Sequence, residues 1–460
     1  MGLLIKFRKS VMLLIKAMII LAVTFSFINV WVNYYPDAML YRNGNYLIVF
    51  SFVLLFSIFS SNFGAFKIGI YRIHEIIYYF SISLIFANVF TYLELSLIAK
   101  YLLSPLPLII GTVFQIIIIC IGSYCANTVY FLLYKARKML AVFGDDEGFK
   151  LINKMSAIPL RFKIEQGVNA NTTPVDEIKR LIDKYECVII CNVDKNIQQE
   201  IFLYCYANQK RTYLLPAITD IIINNSYEIQ ISDTPVLMSR NRGLNTEQRL
   251  TKRLMDIAIS AVLLILTLPI MLITALCVKI CDGGPIFFKQ NRVTQNGKIF
   301  NILKFRSMIV DADKNGSNTT KNDDCRITKI GKIIRPLRID ELPQLINVIK
   351  GDMSLVGPRP ERVENVYYYS SDYPEFDLRH RVKTGITGFA QIYGKYNTSP
   401  KDKLNMDLFY IETYSPLQDI KLLTLTLKTI FTKNSTEGFE NDSNSEPQKS
   451  KSIELKNKNK

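Results

Sequence analysis

The sequence predicts a membrane protein of mixed α and α/β build. A unit of four transmembrane helices comes first, then a Rossmann-like α/β domain, and last a re-entrant membrane hairpin joined to a compact α/β domain. Three observations carry this. Residues 1–134 contain four long runs without a charged side chain. Residues 139–240 alternate short apolar runs with amphipathic stretches, the rhythm of βαβ units on a parallel sheet. A fifth uncharged run, Ile257 to Val278, carries Pro269 near its middle and bases on both flanks. At about 150 residues per domain, 460 residues fit about three units.

The first uncharged run, Ala17–Pro36, follows Lys6, Arg8 and Lys9. A cleaved signal peptide would start this way, but no small-residue cleavage pattern follows and more hydrophobic runs do. Those are Tyr46–Phe66, Ile76–Leu93 and Leu108–Tyr134, each close to the ~20 residues a spanning helix needs. Lys67 and Arg72, and then Lys135, Arg137 and Lys138, place both ends of the four-helix unit (1–138) on the cytoplasmic side. Gln115, within the fourth run, suits a helix–helix hydrogen bond.

Residues 139–245 read as strands at Met139–Phe143, Val188–Val193 and Thr212–Leu215, with helices at Asp176–Tyr185 and Ile197–Ala207. The first strand runs into Gly144-Asp145-Asp146-Glu147-Gly148. Acidic side chains stand there where a dinucleotide's pyrophosphate would lie, so this is a degenerate Rossmann-like domain for regulation or assembly. Ser239–Glu247 reads as a linker.

The fifth run is long enough to span the bilayer. Pro269 must remove a backbone hydrogen bond and bend it, and Arg249, Lys252 and Arg253 before it are matched by Lys279, Lys289 and Arg292 after it. A re-entrant helix over 253–280, entering and leaving on the cytoplasmic side, accounts for both. A Pro-kinked spanning helix is the competing reading.

In the remaining segment, alternation over Phe300–Phe305 predicts a strand delivering Lys304 and Arg306 to a common site. Asp324-Cys325-Arg326, Gly331, Arg335 and Arg338 then lead to the pair Asp340-Glu341. Apolar residues at 342, 345, 346 and 349 predict a helix from the acidic pair to Gly351, whose N-terminus favours ionised carboxylates suited to a nucleophile or a metal ligand. Asp340 as a plain helix cap is the simpler alternative. Against it stand the surrounding cations and Arg359, held between Pro358 and Pro360 as a stiff support for a bidentate phosphate contact.

Composition agrees. The net charge of +16 fits an anionic lipid surface, and without a basic stripe interleaved with aromatics no nucleic acid partner is expected. Eight Cys without a CxxC pair and only two His argue against zinc or a disulfide framework, and for a reduced cytosolic face.

From Lys252 to about Phe431 the chain resembles the bacterial sugar transferases, the monotopic phosphoglycosyl transferases that initiate exopolysaccharide and capsule synthesis. The resemblance rests on long blocks: the start Lys252-Arg253 with Asp256, Gly284–Gln290 with Arg292, Phe300–Met308, Arg338–Glu361, Val382–Gln391, Lys403–Ile411 and Asp419-Ile420-Lys421. Gly283, Thr294 and Thr384 depart from the family pattern, away from the acidic pair. The resemblance implies a transferase domain over 246–433. It implies transfer of a sugar 1-phosphate from a UDP-sugar to undecaprenyl or another polyprenyl phosphate, with UMP released. Asp340 would be the nucleophile forming an aspartyl-phosphosugar intermediate. Asp340 and Glu341 would hold Mg²⁺, and Lys304, Arg306, Arg338 and Arg359 would clamp phosphates. The setting implied is the bacterial plasma membrane, with the catalytic domain on its cytoplasmic face. Partners expected are the lipid bilayer, a second copy in a homodimer, and other polysaccharide-assembly proteins.

Three other classes compete. An NAD-dependent oxidoreductase on residues 139–240 lacks the phosphate-binding glycine loop. A non-catalytic scaffold or regulator of polysaccharide assembly sits poorly with the acidic pair and its cations. A transporter would carry paired charges within its spans. Residues 434–460, rich in Asn, Ser, Glu and Lys, read as a disordered tail.

Overall fold

The computed structural model describes residues 7–156, 158, 161–239, 243–309, 326–394 and 398–430; Asp324, Cys325 and the expected tail at 434–460 lie outside them. The chain forms two compact units that divide between Leu215 and Pro216.

In the first unit, α1 (Arg8–Tyr34), α2 (Asn45–Phe63), α3 (Ile73–Ala99) and α4 (Leu106–Leu133) are each long and apolar enough to cross a membrane. α1 packs on α4, α2 on α3, and α3 on α4. Their loops pair at opposite ends. At one, Tyr35 donates to the Ser104 carbonyl at 2.7 Å and Tyr101 to Asp37 at 2.5 Å. At the other, Arg8 lies 5.0 Å over the Tyr134 ring and Lys16 lies 6.0 Å over Phe66. Gln115 serves the helix–helix role expected of it: it accepts from Asn88 at 2.9 Å and donates to the Val23 carbonyl at 3.2 Å.

Beyond α4 come β1 (Lys138–Phe143), α5 (Asp146–Ser156), β2 (Lys163–Asn169), α6 (Val175–Asp183), β3 (Cys187–Cys191), α7 (Lys195–Ala207) and β4 (Arg211–Leu214). The strands form a parallel sheet of order β2-β1-β3-β4. Because side chains alternate across a strand, Leu140, Val142, Val188 and Ile190 enter one apolar layer while Met139, Ala141, Cys187 and Ile189 enter the other. β2 (Lys-Ile-Glu-Gln-Gly-Val-Asn) escapes the apolar pattern because it is an edge strand, half open to water. At the C-terminal end of β1, Asp145 accepts from the Gly148 N–H at 2.7 Å, so a carboxylate occupies the donor that a phosphate would use.

The second unit opens with α8 (Ile218–Ile223) and a hairpin of β5 (Tyr227–Ile231) and β6 (Thr234–Met238), which ends where the expected linker begins at Ser239, and α9 (Thr246–Asp282) takes up that linker's last two residues. Ile221 and Leu244 are buried in this unit's core. α9 contains Pro269 within one 37-residue helix. There follow the antiparallel pair β7 (Phe287–Val293) and β8 (Ile299–Phe305), α10 (Gly331–Ile334), α11 (Gln344–Lys350), β9 (Ser354–Val356), α12 (Val363–Asp372), β10 (Gly385–Thr387), α13 (Phe389–Tyr393), α14 (Pro400–Glu412) and α15 (Pro416–Ile430). β9 and β10 run parallel. Leu345, Val348, Leu355, Val356, Leu404 and Leu408 make the centre of the core. Each such side chain contributes about 1.5–3 kcal/mol on burial, which holds α11, β9 and α14 as one body.

Candidate active site

The acidic pair lies on a 3₁₀ turn, Ile339–Glu341, between α10 and α11. The expected helix begins later, at Gln344, because Pro343 has no N–H to bond the Ile339 carbonyl. The carboxylates therefore stand ahead of the helix and owe their environment to side chains rather than to its dipole. Gly351 ends α11 in the left-handed region with φ 92°, as expected. Arg338, just before the pair, is left-handed at φ 54°, a conformation that costs a non-glycine residue about 1 kcal/mol and turns the chain sharply into the site.

Three cations converge on Glu341. Lys304 at the end of β8 donates to Oε1 at 2.8 Å, Arg338 reaches Oε2 at 3.4 Å, and Arg359 reaches Oε1 at 3.5 Å. Burial is the largest single influence on the Glu341 carboxyl and raises it, but Lys304, Arg359 and Arg338 together overcome it and hold the group far below the usual carboxylate range. Asp340 behaves oppositely. Burial, then repulsion from Glu341, pushes its carboxyl up to about 6, against the pull of Lys304, Arg335 and Arg338. Among the described residues no side chain hydrogen-bonds to the Asp340 carboxylate. The turn thus holds one carboxylate bound among cations and, beside it, one whose charge is disfavoured.

A layer behind these groups fixes them. Arg379, buried, chelates Asp407 at 3.0 and 2.7 Å and donates to the Arg359 carbonyl at 3.0 Å. Arg253 donates to the carbonyls of Val348 and Ile349 at 2.7 and 2.8 Å, closing the C-terminus of α11. Lys252 reaches Asp419 at 2.5 Å and Tyr410 at 3.0 Å in a buried cluster, Tyr410 donates to Asp419 at 2.8 Å, and one turn along the helix Asp256 accepts from the Leu355 N–H at 3.1 Å. The foot of α9 is thereby pinned to β9, which runs directly into Gly357-Pro358-Arg359-Pro360. Higher on α9, Met271 and Ala275 pack with Phe305, Ile334, Ile339 and Leu342, around the acidic turn itself.

Of the candidate residues, Lys304, Arg338, Arg359, Asp340 and Glu341 come together. Arg306 lies buried past the end of β8, its guanidinium against Gly284, where an added Cβ would come within 2.0 Å of Nη1. Two cations escape the sequence reading as site residues. Arg335 acts on Asp340. Arg292 shares a small cleft with Ile302, Lys304, Glu341 and Arg359. Burial, then repulsion from Arg359, lowers the Arg292 guanidinium to about 10. The signal was present in the hairpin: β7 and β8 pair Arg292 with Phe300, which by period-two alternation shares a face with Ile302 and Lys304. Nε of Arg292 and of Arg338 are buried donors without an acceptor among the described residues, a donor set suited to an anionic ligand.

Fold and site define a membrane-associated protein whose second unit sets a carboxylate pair among cations, the composition of a site for phosphorylated ligands. The model of the family described as bacterial sugar transferase matches residues 247–433. An uncharacterized sugar transferase, EpsL, of Bacillus subtilis is 43% identical over 179 residues, 39% of this chain and 86% of that protein. The UDP-N-acetylgalactosamine-undecaprenyl-phosphate N-acetylgalactosaminephosphotransferase of Aeromonas hydrophila is 42% identical over 184 residues, 39% of this chain and 44% of that protein. The undecaprenyl-phosphate glucose phosphotransferase of Komagataeibacter xylinus is 32% identical over 335 residues, covering 68% of this chain and 63% of that protein. The chain belongs to the bacterial sugar transferase family. It spans about half the length of several curated relatives it matches, 44% and 47% for the Aeromonas protein and a Klebsiella pneumoniae glucose-1-phosphate transferase.

Proposed function

We propose that this chain transfers a sugar 1-phosphate from a UDP-sugar to polyprenyl phosphate, releasing UMP, as the first membrane step in making an exopolysaccharide, capsule or O-antigen. The observation that carries the reading is the pairing of Asp340, raised to about 6 and without a side-chain hydrogen bond among the described residues, with Glu341 held among Lys304, Arg338 and Arg359. Both substrates are anions, so direct attack of one phosphate on the other suffers repulsion, and a covalent relay divides the reaction into two steps. In the first, an Asp340 carboxylate oxygen bonds to the sugar-proximal phosphorus as the phosphoanhydride bond to UMP breaks, and UMP departs with the electron pair. In the second, a phosphate oxygen of polyprenyl phosphate attacks the same phosphorus and the carboxylate is released.

Lys304, Arg338 and Arg359 stabilise charge on the phosphates, with Arg292 beside them in the cleft. Mg²⁺ takes one or two carboxylates together with substrate phosphates and water, so Asp340, whose carboxylate makes no side-chain hydrogen bond among the described residues, would hold it first, and Glu341 would join by giving up a contact to Lys304, Arg338 or Arg359. Bound there, it supplies neutralisation of the diphosphate charge.

The packing of α9 supports a re-entrant placement. Lys252 near its start and Met271 and Ala275 near its Pro269 all pack on the same unit, and β7 begins at Phe287, five residues past the helix end. At 1.5 Å per residue Lys252 and Met271 stand about 28 Å apart, nearly a bilayer's hydrocarbon thickness, yet both touch one compact body. A helix dipping into one leaflet from the cytoplasmic side fits this. Ile333 and Leu337, 64% and 50% exposed and flanked in sequence by Lys332, Arg335 and Arg338, add an apolar, basic-edged surface beside the acidic turn for an acceptor whose head group lies at the interface. Purified protein given Mg²⁺, a panel of UDP-sugars and polyprenyl phosphate should release UMP with at least one donor; no release with any donor returns the scaffold reading to the front.

A further inference from the structure

The Rossmann-like domain carries its charge asymmetrically. In a parallel sheet all strands enter at one edge and leave at the other, and the helices run back between them. The entry edge of β2-β1-β3-β4 therefore gathers the strand starts with the ends of α5, α6 and α7. Along that edge Lys138 pairs with Lys163, and one residue further in Arg211 pairs with Cys187. Lys135, Arg137, Arg161, Lys184 and Lys210 join them from the connecting segments. Acids there are fewer: Glu165 lies between Lys138 and Lys163 at 3.6 and 3.2 Å, exposed Glu186 is 4.0 Å from Arg137, and Asp183, at the end of α6, accepts from Tyr204 at 2.9 Å. The exit edge is the reverse, with Asp145, Asp146, Glu147, Asp176, Glu177 and Asp194. Helix dipoles favour bases near helix ends, but Arg137, Lys138, Lys163 and Arg211 belong to strands and loops, so that preference leaves most of the basic edge unexplained.

This edge is also the one that meets the membrane helices. Arg137 follows the end of α4 by four residues. Arg161, just ahead of β2, donates to the carbonyls of Ile70 and Tyr71 in the α2–α3 connection at 2.6 and 2.5 Å. Tyr130, in the last turn of α4, interacts electrostatically with Arg211, Tyr213 and Arg161. Beside the basic residues the end of α7 presents Phe202, Leu203 and Tyr206, which are 40, 56 and 76% exposed. Tyr206, Arg137, Lys210 and Arg211 line an open recess of about 690 Å³. Apolar and aromatic side chains next to arginines, at the level where a spanning helix leaves the bilayer, have the composition of an interfacial anchor.

We propose that the entry edge of this domain rests on the membrane, with Phe202, Leu203 and Tyr206 in the headgroup region and Arg137 and Arg211 on the headgroups of anionic phospholipids. The exit edge, where a nucleotide would sit in an open α/β sheet, then faces water with its own carboxylates in place. Part of the net charge of +16 thereby acquires a partner. The assignment is independent of the transferase activity.

The chain has a single Trp, Trp31, so a full-length Trp31→Phe, Tyr206→Trp variant reports from one place. In nanodiscs, brominated anionic lipid should quench its emission strongly and brominated phosphatidylcholine less. Adding Arg137→Gln and Arg211→Gln should lower the preference for anionic lipid by roughly 30-fold, about 5-fold per base. Unchanged elution volume and far-UV spectrum show that each variant is folded. Quenching by aqueous acrylamide and by neither brominated lipid overturns the proposal. Equal quenching by both lipids, unmoved by the Gln substitutions, overturns its electrostatic half. Protection from lipid and acrylamide alike places protein on this face and overturns it as well.

Discussion

Replacing Asp340 by Asn should make the protein more stable while abolishing its activity. The Asp340 carboxyl lies at about 6 in the folded protein, against 3.8 for an unperturbed aspartate, because burial and Glu341 disfavour its charge. A carboxyl raised on folding binds its proton more tightly in the folded state. The stability it lends is therefore full below about pH 4 and is lost as pH rises to about 6. Two pKa units correspond to roughly 3 kcal/mol as a ceiling, and partial solvent access and coupling to Glu341 reduce this to about 1–2 kcal/mol. Asn removes the charge and hence the penalty, so melting at pH 8 should shift upward by about 2–6 °C, with little shift at pH 4.5. Differential scanning fluorimetry of the detergent-solubilised protein at both pH values reads this. A lower melting temperature at pH 8, or a shift that does not depend on pH, would refute the reasoning that burial, and then Glu341, disfavour the charge on Asp340.

Other consequences follow from the same geometry. Lys304→Met removes the closest cation from Glu341 and should reduce UMP release by about 100-fold or more, with folding intact by elution volume. Attack by Asp340 needs the ionised form, so the rate of UMP release should fall about tenfold per pH unit below about 6 in a pH–rate profile. Arg379→Leu leaves buried Asp407 without its partner and should destabilise the protein by about 3–5 kcal/mol, seen as a lowered melting temperature and loss of soluble yield. Gly357→Ala drives a Cβ to 2.4 Å from the Lys383 carbonyl between β9 and β10, and overpacking there should cost about 1–3 kcal/mol and displace Arg359, raising KM for the donor.

Much of this fold was legible in the sequence because it rests on length and period. The four uncharged runs became α1 to α4, and the short apolar runs became β1, β3 and β4; β1 and β3 are central, and a buried strand hides little but apolar side chains. β2 went unread because an edge strand keeps alternating charges. The hairpin of β5 and β6 went unread because its residues are mostly exposed, which leaves no pattern of burial. The acidic pair was conspicuous from its neighbours, yet its placement on a separate turn depended on one missing N–H at Pro343. Arg292 and Arg335 were visible as bases, but only strand pairing and the turn at Arg338 show which way they work. The layer of Arg253, Arg379 and Asp407 joins residues as much as 96 positions apart, as with Arg253 and Ile349, and no local spacing encodes that.

The central claim is that Asp340 carries the sugar phosphate. Intact-protein mass after incubation with Mg²⁺ and UDP-sugars, with no lipid acceptor, tests it most directly, beside the Asp340→Asn variant. The account predicts a gain of one sugar phosphate with matching UMP, absent from the variant and discharged on adding polyprenyl phosphate. UMP released only when the acceptor is present, with no adduct for any donor, would contradict it and make the reaction a direct transfer.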